Sequence, residues 1–174
     1  INRESQMNAL TIETIQEVGL AHDVALADDA VKGILITGSG NKAFIAGADI
    51  KEFSDFSVDE ANDMSAAGHG VFNKLEHSPK PVLAAINGFA LGGGLELAMA
   101  CHMRVAAENA RFGQPEVNLG LIAGYGGTQR LVQLIGRGKA TELLITGDMI
   151  KAAEACSLGL VNYVVPAAEL IAKC

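Results

Sequence analysis

A chain of 174 residues that is 49% apolar and only 19% charged has the side chains for a sizeable core, which excludes a disordered segment. Its net charge of -7, with no Lys/Arg run, argues against general nucleic-acid binding, and charged residues interrupt every apolar run before it is long enough to span a bilayer. The cysteines (Cys101, Cys156, Cys174) and histidines (His22, His69, His77, His102) are scattered without ligand spacing, so they offer no disulfide framework or metal site and point to a reducing compartment.

The length predicts one domain over 1–174. The first residues, Ile1-Asn2-Arg3-Glu4, read as the end of a strand. From Asn8 to about Ala27 the apolar spacing is compatible with a helix, weakened in its middle by Gly19. Val31 to Thr37 is the clearest strand. Gly38-Ser39-Gly40-Asn41-Lys42-Ala43 follows it and fits the dinucleotide pattern G-x-G-x-x-G/A. That pattern requires a helix next, and Phe44 to Ile50 is short, glycine-containing and not amphipathic, so the dinucleotide reading is rejected. Ala46-Gly47-Ala48-Asp49 reads as a loop of small residues, either an ordinary tight turn or a place where backbone approaches a ligand.

A helix is predicted from about Val58 to His77, closed by Pro79 and Pro81. Pro81 to Ile86 then reads as a short buried strand ended by Asn87-Gly88, and Leu95 to Cys101 as an apolar helix. Three consecutive glycines, Gly92-Gly93-Gly94, stand before that helix. Such a run costs backbone entropy and packs nothing, which suggests close approach of the backbone to another group. At a helix start, free N–H groups and the positive end of the dipole suit an oxyanion or a phosphate. Glu96 lies in the first turn of this apolar helix; it either complements the dipole or has a chemical task.

His102 to Ala107 reads as another strand, and Arg111 to Glu116 as a loop whose Glu116 is either a solvated turn residue or a second functional carboxylate. Helices are predicted for Gly127 to Ile135, Lys139 to Leu144 and Ala152 to Leu158, a strand for Val161 to Val165, and a helix from Ala167 onward. Alternating strands and helices predict an α/β fold with largely parallel pairing.

Five collinear segments carry a resemblance. They are Asn8-Ala9-Leu10, Lys42 to Glu52, Pro81 to Ala98, Phe112-Gly113-Gln114-Pro115-Glu116 and Gly126 to Leu131. In order and spacing they resemble the crotonase (enoyl-CoA hydratase/isomerase) superfamily across essentially the whole chain. The resemblance implies a spiral of repeated ββα units. It also implies assembly as homo-trimers or pairs of trimers, a cytoplasmic or organelle-matrix location, and an acyl-CoA thioester substrate. Coenzyme A is then part of the substrate, with no separate cofactor, no metal, no nucleic acid and no membrane partner.

By the same resemblance, Ala48 and Gly93 match the backbone donors of an oxyanion hole. Glu96 and Glu116 match the two acid/base glutamates of the hydratase branch, with Glu96 activating water and Glu116 delivering a proton to C2. Gly124 matches a glycine that lines the water and acyl region, Gly92 is a further substrate-binding candidate, and Ala9, Ala46, Ile50 and Lys51 fall where the family cradles coenzyme A. The implied reaction is syn addition of water to a short or medium trans-2-enoyl-CoA. The alternatives are a Δ3,Δ2-enoyl-CoA isomerase, which can use one acid/base residue, and a silent crotonase-like binding protein.

Departures from the family pattern are Ala123, where proline is frequent, and Ser5, near a position that is often lysine. The resemblance runs off both ends: the opening strand is partial, and the C-terminal helical region that packs on the spiral is missing. Should Cys174 be the true end, an exposed apolar surface, low stability and weakened coenzyme A binding are expected.

Overall fold

A computed structural model describes residues 1–174. The chain begins with a short 3-10 turn, Glu4–Gln6, followed by α1 (Ile12–Ala27), β1 (Ile34–Thr37) and β2 (Ala43–Ala46). Next come α2 (Val58–Glu76), β3 (Val82–Ile86), β4 (Phe89–Leu91) and α3 (Gly93–Ala100). β5 (Met103–Ala107) and β6 (Arg111–Gly113) lead through a 3-10 turn, Pro115–Leu119, to α4 (Gly127–Ile135). The rest is α5 (Arg137–Thr146), β7 (Met149–Lys151), α6 (Ala152–Ser157), β8 (Tyr163–Val165) and α7 (Leu170–Lys173).

Two four-stranded sheets result, one ordered β1-β3-β5-β8 and wholly parallel, the other β2-β4-β6-β7 with only β7 antiparallel. Each ββα repeat puts its first strand in one sheet and its second in the other, so the chain winds as a spiral. Val82, Ala84, Phe44, Ile45, Ala90, Phe112 and Leu95 are fully buried where strands and α3 meet. On the outer face of the first sheet α7 packs Leu170 against Ala85 and Val105, whereas the in-register pair Leu35 and Met103, flanking Leu83, stays partly exposed.

The element types agree with the sequence reading except at the N-terminus, where Ile1 to Glu4, read as a strand end, forms no strand and leads into the 3-10 turn Glu4–Gln6, and at the short strands of the second sheet. Ala43 to Ala46, with no strand predicted and its last residue read as loop, is the strand β2, and Arg111 to Gly113, read as loop, is β6. Strands of three or four residues leave too little alternation to see, and β2 is buried on both faces, which removes the pattern altogether. β7 was also unseen. Val31 to Gly33 and Val161 to Asn162 lie outside their strands, and α1 starts only at Ile12 because Thr11 caps it, its Oγ1 accepting from Thr14 N at 3.0 Å.

The hexapeptide Gly38 to Ala43 leads from strand to strand, as its rejection as a dinucleotide loop requires. Asn87 Nδ2 donates to Gly38 O (2.9 Å) and Gly40 O (2.8 Å), tying this turn to the one between β3 and β4. Asn8, fully buried, donates from Nδ2 to Ser39 O and Ala43 O, both at 2.9 Å, and so anchors the N-terminal segment to the same turn.

Candidate active site

The second sheet and α3 meet at the triple-glycine junction, and each glycine has a different reason to be there. Gly92 has φ +49°, and a Cβ on it would come 2.8 Å from Glu116 Oε1. Gly94 lies against β2, where a Cβ would come 2.2 Å from the Ile45 carbonyl oxygen. Gly93 borders an open space, its Cβ position lying in van der Waals contact with the Tyr125 ring at 3.4 Å and with Leu10 at 3.6 Å.

That space is a cavity of about 380 Å³. Its wall includes Ala46, Ala48, Ile50, Gly92, Gly93, Glu96, Glu116 and Gly124, together with Tyr125 and, from α2, Met64 and Ser65. Ala9 and Lys51 are not on this wall. The Ala9 carbonyl accepts from the Arg3 guanidinium, and Lys51 is exposed in the 3-10 turn Ile50–Glu52. A larger groove, about 680 Å³, runs between the N-terminal segment and α1, lined by Arg3, Glu13, Glu17 and Glu52 among others. It contains none of the glycine-junction residues and no buried carboxylate, so size does not decide where chemistry could occur.

Two backbone donors face the 380 Å³ cavity. Leu10 pairs with Ala48 as a parallel bridge, Leu10 N donating to Gly47 O (2.9 Å) and Asp49 N to Leu10 O (2.7 Å). In such a bridge the N–H of the central residue points the other way, so the Ala48 N–H is left without an acceptor in the chain. Gly93 is the first residue of α3, so its N–H has no acceptor one turn back and lies at the positive end of the helix.

Glu96 is 1% exposed. Its Oε1 accepts from Tyr125 N and Gly127 N, each at 2.7 Å. Burial pushes its carboxyl up to about 7; those two N–H bonds and the Arg130 charge oppose the rise, and the neighbouring Glu116 adds to it. Glu116 is also held above the ordinary carboxylate range by burial. With the Gln114 amide oriented nitrogen-first, Nε2 donates to Oε1 and Oε2 of Glu116 at 2.9 and 3.0 Å. The fold thus brings together a buried carboxylate, Glu96, and a half-buried one, Glu116, that are 20 positions apart in sequence and close enough for the charge of Glu116 to raise the Glu96 carboxyl.

Gln114, Tyr125, Ser65 and Arg130 were not read from the sequence as parts of this site. Gln114 stands two residues before Glu116, and Tyr125 is the one aromatic ring in a glycine-rich run, so both carried some signal. Nothing in the sequence of α2 marks Ser65, whose Oγ donates to Gly124 O at 2.6 Å.

The sequence model of the family described as enoyl-CoA hydratase/isomerase matches residues 1–174. The chain belongs to the enoyl-CoA hydratase/isomerase family. Among its relatives, a crotonyl-CoA hydratase of Syntrophomonas wolfei is 53% identical over 98% of this chain and 66% of the relative. A short-chain-enoyl-CoA hydratase of Clostridium acetobutylicum is 48% identical over the same shares. The crystal structure of an enoyl-CoA hydratase from Bacillus anthracis superposes with a TM-score of 0.93 at 43% identity, covering 98% of this chain and 66% of that one. The chain therefore spans just under two thirds of the length of these relatives. The spiral of ββα units is the crotonase fold of this family. No helix of the chain is long and apolar enough to cross a membrane.

Proposed function

We propose that this chain carries the active site of an enoyl-CoA hydratase, which adds water across the double bond of a trans-2-enoyl-CoA to give a 3-hydroxyacyl-CoA. The observation that carries this reading is the pair of carboxylates, buried Glu96 and half-buried Glu116, on one cavity wall with the free N–H groups of Ala48 and Gly93. In the reaction, the oxygen of water bonds to C3 while a carboxylate takes one of its protons. The C2–C3 π electrons move toward the thioester, and negative charge gathers on its oxygen as an enolate. C2 then takes a proton from the second carboxyl group. Two fixed backbone donors stabilise the enolate oxygen more than they do the neutral carbonyl, so they lower the barrier.

Glu96 is assigned to water activation because its two N–H donors favour the ionised form a base requires. Burial raises both carboxyls, so Glu116 is assigned to protonating C2 by its match to the family's second glutamate and not by its own titration. A Δ3,Δ2-isomerase needs only one such group; retention of both carboxylates in one cavity favours hydration. Ala9, Ala46, Ile50 and Lys51 belong to this reading as contacts of coenzyme A, which enters as part of the substrate. Assembly as a homo-trimer or dimer of trimers belongs to it too, and sedimentation of the purified protein measures it.

A short acyl group fits best. The Tyr125 ring fills the space beside Glu96 and Gly93, edge-on to Phe72 with centroids 5.4 Å apart and seated on Gly68, where a Cβ would come 2.3 Å from the ring. Two relatives are named for crotonyl-CoA and short-chain enoyl-CoA.

The test follows loss of the conjugated thioester chromophore when crotonyl-CoA is added to the purified protein and to its Glu96→Gln and Glu116→Gln variants. Each variant is expected to lose about a hundredfold or more in rate while staying folded. A folded parent that binds crotonyl-CoA without consuming it overturns the hydratase reading.

A further inference from the structure

Glu96 is held by two N–H groups of a segment with no regular structure, residues 123–126 and the first residue of α4. What holds that segment is therefore part of what holds the carboxylate. One anchor is Ser65, on the Gly124 carbonyl. The other is Arg130, from α4, whose guanidinium is 7% exposed and spans three elements. Its Nη1 donates to Tyr125 O at 2.8 Å, its Nε and Nη2 to Glu76 Oε2 at 3.0 and 2.7 Å, and Nη2 also to Asn73 Oδ1 at 2.7 Å. Glu76 and Asn73 both belong to α2. The backbone accommodates this reach: Gly126 has φ +98°, and a Cβ on it would come 2.4 Å from Arg130 Nη1.

We propose that Arg130, oriented by Glu76 and Asn73, is a positioning residue for Glu96, fixing the Tyr125 peptide so that the N–H groups on either side of Gly126 converge on one carboxylate oxygen. The inference rests on the hydratase reading for its catalytic consequence, but not for its geometry. A guanidinium suits the task because it is planar and can serve a carbonyl and a carboxylate at once; a lysine ammonium at the same place keeps the charge and loses the fork. A purely structural alternative exists, in which Arg130 only joins α4 to α2. The two differ in what happens to the Glu96 proton when the charge is kept and the fork is lost, as in Arg130→Lys, because loss of the charge in Arg130→Met raises the carboxyl on either account. Both the N–H donors and the Arg130 charge favour the ionised carboxylate, so weakening them makes Glu96 harder to ionise. The charged and titratable groups around it are Glu116, Arg130 with its partner Glu76, the Tyr125 phenol, and His69 from α2 beside Gly126, and a shift is assigned to Arg130 only if Glu116 and His69 are unaltered.

The experiment titrates the Glu96 carboxyl by carbon NMR in protein labelled at glutamate side-chain carboxyls, its resonance identified by its loss in Glu96→Gln. It does so in the parent and in Arg130→Met, Arg130→Lys and Glu76→Gln, each checked for fold by thermal unfolding, with crotonyl-CoA hydration followed beside it. The positioning role predicts an upward-shifted Glu96 midpoint in all three variants. It also predicts a fall in kcat of tenfold or more for Arg130→Met with KM within about threefold, and partial recovery in Arg130→Lys. A folded Arg130→Lys whose Glu96 midpoint matches the parent overturns the role and leaves Arg130 a helix-to-helix tie. Should Arg130→Met not fold, Arg130→Lys and Glu76→Gln decide by the same shift. An inactive parent with shifted midpoints sinks the hydratase reading alone and leaves the positioning intact.

Discussion

The Glu96 carboxyl binds its proton more tightly in the fold than in the unfolded chain, and two consequences have opposite signs for stability and activity. Its folded value is near 7 against an ordinary 4.5. Below about pH 4.5 the group is protonated in both states and costs nothing; the cost grows as pH rises to 7 and is constant above that, on the order of 3 kcal/mol. Glu96→Gln keeps an oxygen to accept from Tyr125 and Gly127, so it is expected to raise the unfolding temperature at pH 8, with the gain vanishing near pH 4. Unfolding scans at the two pH values measure this. Activity runs the other way: a base that must be ionised loses hydration rate as pH falls below about 7, which a pH profile of kcat/KM against crotonyl-CoA records. The Tyr125 ring makes a third prediction. Tyr125→Ala opens volume beside Gly93 and is expected to raise kcat/KM for an eight-carbon enoyl-CoA relative to crotonyl-CoA, with some loss of stability from the exposed cavity. An unchanged ratio removes Tyr125 from chain-length selection.

The glycine junction separates packing from chemistry within three consecutive positions of one element. At Gly94 a methyl would meet the Ile45 carbonyl, so Gly94→Ala is expected to push α3 off β2 and destabilise the fold by about 1–3 kcal/mol in chemical denaturation. At Gly93 a methyl meets only ordinary contact distances, so Gly93→Ala is expected to keep the unfolding midpoint while crowding the cavity and slowing turnover. The sequence displayed the three glycines as a place of close backbone approach, but Glu96 beside them read equally as a dipole-complementing residue or one with a chemical task, and the resemblance decided between the two. Glu116 was not legible in that way: in a loop its carboxylate is indistinguishable from a solvated turn residue, and only the resemblance singled it out. β2 and β6 were hidden because they are short and, in β2, buried at three of four positions. Ser65 and Arg130 were hidden because the Ser65 contact and the contacts of Arg130 with α2 span 59 and 54 to 57 positions along the chain, a distance that no local pattern encodes.

Across the whole molecule, each turn of the spiral contributes one part of the site from the same place, just past a strand of the second sheet. Such parallel pairing joins distant segments and forms slowly. Recovery of hydration after dilution from denaturant is therefore expected to coincide with the slowest folding phase seen by circular dichroism; earlier recovery would mean that the site forms without the stacked turns. The pairing of β2, β4 and β6 has one more effect. Ala46, Leu91 and Gly113 lie on a single rung of the ladder. Ala48, Gly93 and Pro115 each stand two positions beyond it, with Glu116 next. Sliding any one strand by one residue would displace its share of the site by about 3.3 Å and turn its buried side chains to the opposite face. The hydrophobic core thus serves as the ruler by which donors and carboxylates from three separate stretches of chain are set against one another.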